Sequence, residues 1–315
     1  MKLALAAFLI ATPLTIHAED PEWQQQILRA RQLQQAANYA GAESILTRAI
    51  TASPDDYARA RTFAALGSVY QDLGRLADAE RSYLRAIDAG REVIEPINGL
   101  ASLYYETRQY AKAEKLTLRC LALLERQDIS GGQLTIAQQL GNLAALYQAE
   151  RKYPEAEKLY LRALVLFERN GSANTPENAF VLHNLASLRM AAGKPEQAAG
   201  YSERAVAIWE ATLGPANPVY AQGLADLAHL NALLGRPADA EALWNRSLAI
   251  VERTLGPTHP TYGRLLQAYA GSLDRWNRKA EAKRFRRRAE SILTTQSSGP
   301  PPGLYTVDYR ELPAR

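Results

Sequence analysis

The stretch GNLAALYQAERKYPEAEKLYLRAL, residues 141–164, decides the fold of this 315-residue chain. Small residues stand at Ala144, Ala156 and Ala163, twelve and then seven positions apart. Extended in both directions, each becomes a column. The first reads Ala30, Gly67, Ala101, Ala144, Ala186, Ala228, Ala270. The second reads Ala42, Ala79, Ala113, Ala156, Ala198, Ala240, Ala282, and the third Ala49, Ala86, Cys120, Ala163, Ala205, Ser247, Ala289. Seven agreements at fixed offsets identify an internal repeat, and the last four copies are 42 residues apart.

Each copy reads as two helices. Leu182, Leu185, Ala186 and Arg189 lie at i, i+3, i+4 and i+7, one face of a first helix. A break follows at Gly193-Lys194-Pro195, matched by Gly74-Arg75 and Gly235-Arg236-Pro237. Glycine suits a helix C-terminus and proline the first turn of the next helix. The second helix carries Ala198, Tyr201, Ala205 and Ile208 on one face. Small side chains belong where helix axes cross about 8–10 Å apart. Leu66, Leu100, Leu143, Leu185 and Leu227, each preceding a first-column residue, fill the space between hairpins. No hairpin buries its face alone, so stability comes from stacking.

The pattern Phe63, Leu66-Gly67, Tyr70, Ala79, Tyr83, Ala86 resembles the tetratricopeptide repeat signature. From residue 134 the copies, with HNLASL (183–188), TLGPANP (212–218) and TLGPTHP (254–260), resemble the kinesin-light-chain type. Pro176, Pro218 and Pro260 recur at this period and open first helices. The resemblance implies an all-α solenoid, a right-handed superhelix of about seven helical hairpins with a short C-terminal tail. The array spans 22–296, with repeats at 23–56, 60–93, 94–127, 137–170, 179–212, 221–254 and 263–296. The tyrosine column departs from the pattern at Arg189, Asn231 and Leu273, where looser packing is expected.

The ends read differently. Lys2, an uncharged stretch over 3–16 and Ala18-Glu19-Asp20 predict a secretory signal peptide over residues 1–18. The alternative is an uncleaved anchor. The chain is therefore expected to be exported, periplasmic or secreted. After Ser297 comes a Pro/Gly/Ser linker, and residues 297–315 end as a tail. There Tyr305, Val307 and Tyr309 alternate with polar residues, as a strand would if given an edge. Seven basic residues, Arg278, Lys279, Lys283, Arg284, Arg286, Arg287 and Arg288, crowd the last hairpin. They read as a solvated capping helix, or as a contact for an anionic surface.

Composition narrows the function. Lys+Arg number 37 against 33 Asp+Glu, a net charge of +4, which does not mark a dedicated nucleic-acid binder. One cysteine, Cys120, excludes an intramolecular disulfide and any Cys₂ or Cys₄ metal site, and reads as a buried small hydrophobe. There is no HExxH, GxSxG, P-loop or post-strand GxGxxG motif. His259 replaces Asn217 in a linker copy, and no third ligand accompanies His183 and His229. No catalytic residue, cofactor or metal is expected.

What remains is the inner wall formed by first helices. Asn142, Asn184 and Asp226 recur at 42, each two residues before a first-column alanine; Gly99 and Ala268 break the pattern. The resemblance implies that asparagines in this NLA context line a groove and bond an extended peptide's backbone. An amide offers both donor and acceptor, so it can bracket a peptide unit without reading its side chain. Helical spacing aims Gln148, His183, Gln222, His229 and Arg264 at the same wall. The alternative role for Asn142 and Asn184 is to cap or bridge repeats. The reading is a non-catalytic exported scaffold binding an extended protein segment in its concave groove. Its alternative is a self-assembling envelope scaffold, the groove filled by a neighbouring chain or by its own tail.

Overall fold

A computed structural model describes residues 21–36, 38–90, 92–127 and 132–294. The signal-peptide stretch, 297–315 and the Tyr305–Tyr309 strand expectation lie outside them. Among the described residues there are fourteen helices and no strand: α1 (Glu22–Gln35), α2 (Tyr39–Thr51), α3 (Asp56–Asp72), α4 (Leu76–Ala89), α5 (Ile94–Glu106), α6 (Tyr110–Gln127), α7 (Gly132–Ala149), α8 (Tyr153–Arg169), α9 (Pro176–Ala191), α10 (Pro195–Leu213), α11 (Pro218–Leu233), α12 (Pro237–Leu255), α13 (Pro260–Arg275) and α14 (Lys279–Thr294). The architecture is an all-α solenoid. No described helix is long and apolar enough to cross a membrane.

The chain divides into two compact units, Met1–Leu159 and Tyr160–Arg315. In the first, α1 packs on α2, α3 on α4 and α5 on α6; in the second, α9 packs on α10, α11 on α12 and α13 on α14. Every member of the three small-residue columns is buried. A larger side chain at such a crossing forces neighbours apart, at a cost of about 1–3 kcal/mol.

Helix ends follow local chemistry. Asp55 accepts from the Ala58 N–H at 2.7 Å, and Asn217 from that of Val219 at 2.8 Å. His259 caps α13 in the same way, its Nδ1 accepting from the Thr261 N–H at 3.2 Å. Pro176, Pro218 and Pro260 each hold the first turn, where a missing N–H costs no helical bond. The residue seven after the first column is left-handed in six hairpins. It is glycine at Gly74, Gly193 and Gly235 (φ 73°, 69° and 72°), but Arg108, Arg151 and Asn277 (φ 59°, 62° and 60°) elsewhere.

Successive hairpins are also joined by polar contacts. Tyr70 donates to Glu43 Oε1 at 2.9 Å, and Arg75 Nη1 reaches the same oxygen at 3.1 Å. Tyr104 donates to Glu80 at 2.7 Å. At the last junction Tyr269 donates to Glu241 at 3.1 Å, and Arg278 Nη1 donates to its other oxygen at 2.7 Å. The expectation of looser packing where the tyrosine column fails is therefore corrected at two positions. Leu273 is fully buried and Asn231 nearly so, and Tyr269, four residues earlier, takes over the hydroxyl's work. In the second unit Glu168–Arg204, Glu210–Arg246 and Glu252–Arg288 form a ladder of ion pairs at 3.4, 2.5 and 3.1 Å. Each pair is exposed and worth at most about 1 kcal/mol.

Large side chains at these junctions are matched to glycines. A Cβ built on Gly67 or Gly99 would lie 2.8 or 2.2 Å from the Tyr83 ring, whose hydroxyl donates to Gln71 at 3.0 Å. Gly99 breaks the asparagine column because any side chain there would meet Tyr83. Gly223 stands in the same relation to Trp209, with a Cβ 2.8 Å from Cε3.

Candidate functional site

The first-unit candidates sit on α7. Asn142 is half-buried, and among the described residues its side chain makes no hydrogen bond. Among those residues it neither caps a helix nor bridges hairpins. Gln148 is buried, 5% exposed, and is engaged within the fold. Its expected projection onto the wall is therefore corrected: the Gln148 side chain is packed inside rather than presented at the surface.

In the second unit α9, α11 and α13 carry the remaining candidates. Asn184 on α9 matches Asn142, half-buried with no side-chain hydrogen bond among the described residues. Its neighbour His183 turns inward. Its ring lies 5.3 Å from Trp209, which also meets Phe180 edge-on at 5.1 Å. At 6% exposure His183 lies behind the wall rather than on it, a second correction. Asp226, one period after Asn184, also turns toward this cluster. Gln222 donates to its Oδ1 at 3.1 Å, while Oδ2 lies 3.6 Å from His183 Nε2, longer than a hydrogen bond. Oδ2 is itself buried. On α13, Arg264 is half-buried and donates to Thr261 Oγ1 at 3.0 Å, lying along its own helix. His229 on α11 is half-buried and engaged within the fold.

Burial sets the charge of this cluster. It pushes the His183 imidazole down to about 4, since the cation loses its water. It pushes the Asp226 carboxyl up to about 7, against the Gln222 hydrogen bond, which favours the anion. On the acid side of neutrality Asp226 is therefore a neutral acid with one donor and one acceptor, matching the amides of Asn142 and Asn184. Sequence reasoning missed Trp209 and Phe180, which floor the cluster. The signal was present, because Gly223 replaces the larger residues Thr62, Gln139, Val181 and Leu265 at the same repeat position.

Other reactive groups are quiet. Cys120 is fully buried, and burial raises its thiol to about 12, so it stays protonated. Among the described residues no three His, Cys, Asp or Glu side chains group to hold a metal ion.

The tetratricopeptide repeat family model matches residues 134–211, 177–243 and 220–295, together just over half of the chain, and a second such model matches 59–96. No curated protein matches the chain. Among solved structures, BtubC (BKLC) from P. vanneervenii shares 18% identity at TM-score 0.58, covering 90% of this chain and 96% of its own. A putative kinesin light chain of Podosopora anserina with nearly identical TPR-like repeats shares 23% at TM-score 0.54, covering 65% and 97%. A Rap protein solved in complex with Competence and Sporulation Factor shares 17% at TM-score 0.61, covering 88% and 76%. These likenesses are of fold, and with the family-model matches they establish that the chain belongs to the tetratricopeptide repeat family.

Proposed function

We propose that this chain is an exported, non-catalytic scaffold that holds an extended segment of another protein against its first helices. One observation carries the reading. Asn142 and Asn184 occupy the same repeat position, are half-buried, and have side-chain amides bonded to nothing among the described residues. A half-buried amide left open at a surface is suited to a peptide unit, whose N–H and C=O it can meet together. The Rap protein solved with Competence and Sporulation Factor supports binding as a use of this fold.

The test is capture from the envelope fraction of the source, identification of the bound protein, and measurement of its affinity for the parent and for Asn142→Ala/Asn184→Ala. Two lost hydrogen bonds, each worth about 0.5–1.5 kcal/mol, raise Kd roughly five- to hundredfold. The melting temperature is expected to stay within about 2 °C, since no packed apolar group is removed. Unchanged affinity for every captured partner would remove these residues from the site.

A further inference from the structure

The position five after the second column is exposed in all seven hairpins, so no joint between helices covers it. It is Thr47, Glu203, Asn245 or Arg287 in four of them, but leucine in three in a row, Leu84, Leu118 and Leu161. Leu84 and Leu118, on α4 and α6 of the first unit, are 43% and 46% exposed. Scattered single leucines on a surface are ordinary. Leucines in register, at a position the fold never buries, are not required by packing.

Each leucine is set among cations. Arg81 stands three residues before Leu84 and Arg85 one after it, and Lys115 and Arg119 stand likewise about Leu118. Lys158 and Arg162 repeat the pattern about Leu161 on α8. Arg85 and Lys115 are exposed and have no ion pair among the described residues. Arg204 and Arg246, which follow the polar Glu203 and Asn245, are instead consumed by the ion-pair ladder. Exposed leucine and free cation thus occur together. We infer that the exposed faces of α4 and α6 dock on an anionic lipid surface, the two leucines entering the headgroup boundary while the cations beside them meet the headgroups. Charge complementarity selects the anionic surface. The pattern selects lipid over protein, because four residues beyond the leucines stand Asp88 and Ala122 rather than another large apolar side chain. Neither helix therefore offers the continuous ridge that a partner helix would need. A lipid surface needs no such register. It takes each leucine separately and adds attraction for each nearby cation. A second copy of this face would set like charges against each other.

The experiment uses the full chain with a polarity-sensitive fluorophore at Ala122→Cys on α6 or, as control, at Ala249→Cys, the same repeat position on α12. Both alanines are exposed, whereas Cys120 is buried and stays unlabelled. Phosphatidylglycerol vesicles at low salt are expected to shift the emission of the first label to the blue and not that of the second. Phosphatidylcholine vesicles are expected to shift neither. In Leu84→Thr/Leu118→Thr, which borrows the residue of the first hairpin, the lipid needed for half of the shift should rise about tenfold or more. If that pair does not fold, Leu118→Thr alone, with a rise of about threefold, takes its place. Arg85→Gln/Lys115→Gln should raise the half-point about tenfold, and added salt should raise it for the parent. Lys279→Gln/Lys283→Gln on α14 should leave it unchanged. Equal shifts of both labels overturn the proposal, as does an unchanged half-point in either variant of the α4 and α6 face, or an equal rise in the α14 variant. So does an acidic protein that covers the α6 label while vesicles do not.

Discussion

His183 and Asp226 are shifted in opposite senses by the same burial, and their effects on stability oppose each other. The Asp226 carboxyl, raised from 3.8 to about 7, contributes stability that is present below pH 4 and lost as pH rises through about 7. The His183 imidazole, lowered from 6.5 to about 4, contributes stability that is present above pH 6.5 and lost as pH falls through about 4. Between those limits the native pair binds the same number of protons as the unfolded pair, so the parent's pH profile is expected to be nearly flat from about pH 4.5 to 6. Asp226→Asn leaves the histidine alone, and its stability should rise with pH across that window. His183→Gln leaves the aspartate, and its stability should fall. Each slope is bounded by about 1.4 kcal/mol per pH unit. Urea melts across the window check this, and parallel profiles for the two variants would refute it. The 42-residue period placed both residues on first helices in advance. Their turn toward each other was not legible, because it depends on Trp209 filling the space that Gly223 leaves.

The turn between the two helices of a hairpin shows how far local signals reach. Gly74, Gly193 and Gly235 announced the left-handed residue, since only glycine adopts it without a Cβ clash. Arg108 and Arg151 occupy the same position unannounced, because arginine carries no turn signal and the surrounding packing imposes the conformation. A left-handed non-glycine residue costs about 1–2 kcal/mol, against about 0.5–1 kcal/mol for glycine's extra unfolded-state freedom. Arg108→Gly and Arg151→Gly should each therefore stabilise the protein by about 0.5–1 kcal/mol, read as a raised urea midpoint at unchanged slope. A lowered midpoint would mean that the arginine side chains contribute packing that outweighs the strain. The same limit explains the tyrosine column. Its loss at Leu273 was visible in the sequence, but its replacement by Tyr269 was not, because that hydroxyl reaches Glu241 from a neighbouring turn of α13.

For the whole molecule, the fold was legible from small-residue columns because solenoids repeat one joint, whereas the identity of the partner leaves no periodic mark. The export proposal is checked at this scale. The mature protein is expected to begin at or near Glu19 by N-terminal sequencing, and recovery of intact Met1 in a membrane pellet would support a retained anchor instead. The ion-pair ladder repeats with the 42-residue period, so excising residues 218–259 would still set Arg288 at the ladder spacing from Glu210, and Asn217 would still precede a proline. By charge and capping alone the hairpins of the second unit are interchangeable parts. Trp209 is cut to fit Gly223, however, and after such an excision it would confront Leu265. Each oversized ring paired with a glycine thus acts as a key between adjoining modules. It fixes their order along the chain and resists the shuffling that the repeat period would otherwise permit.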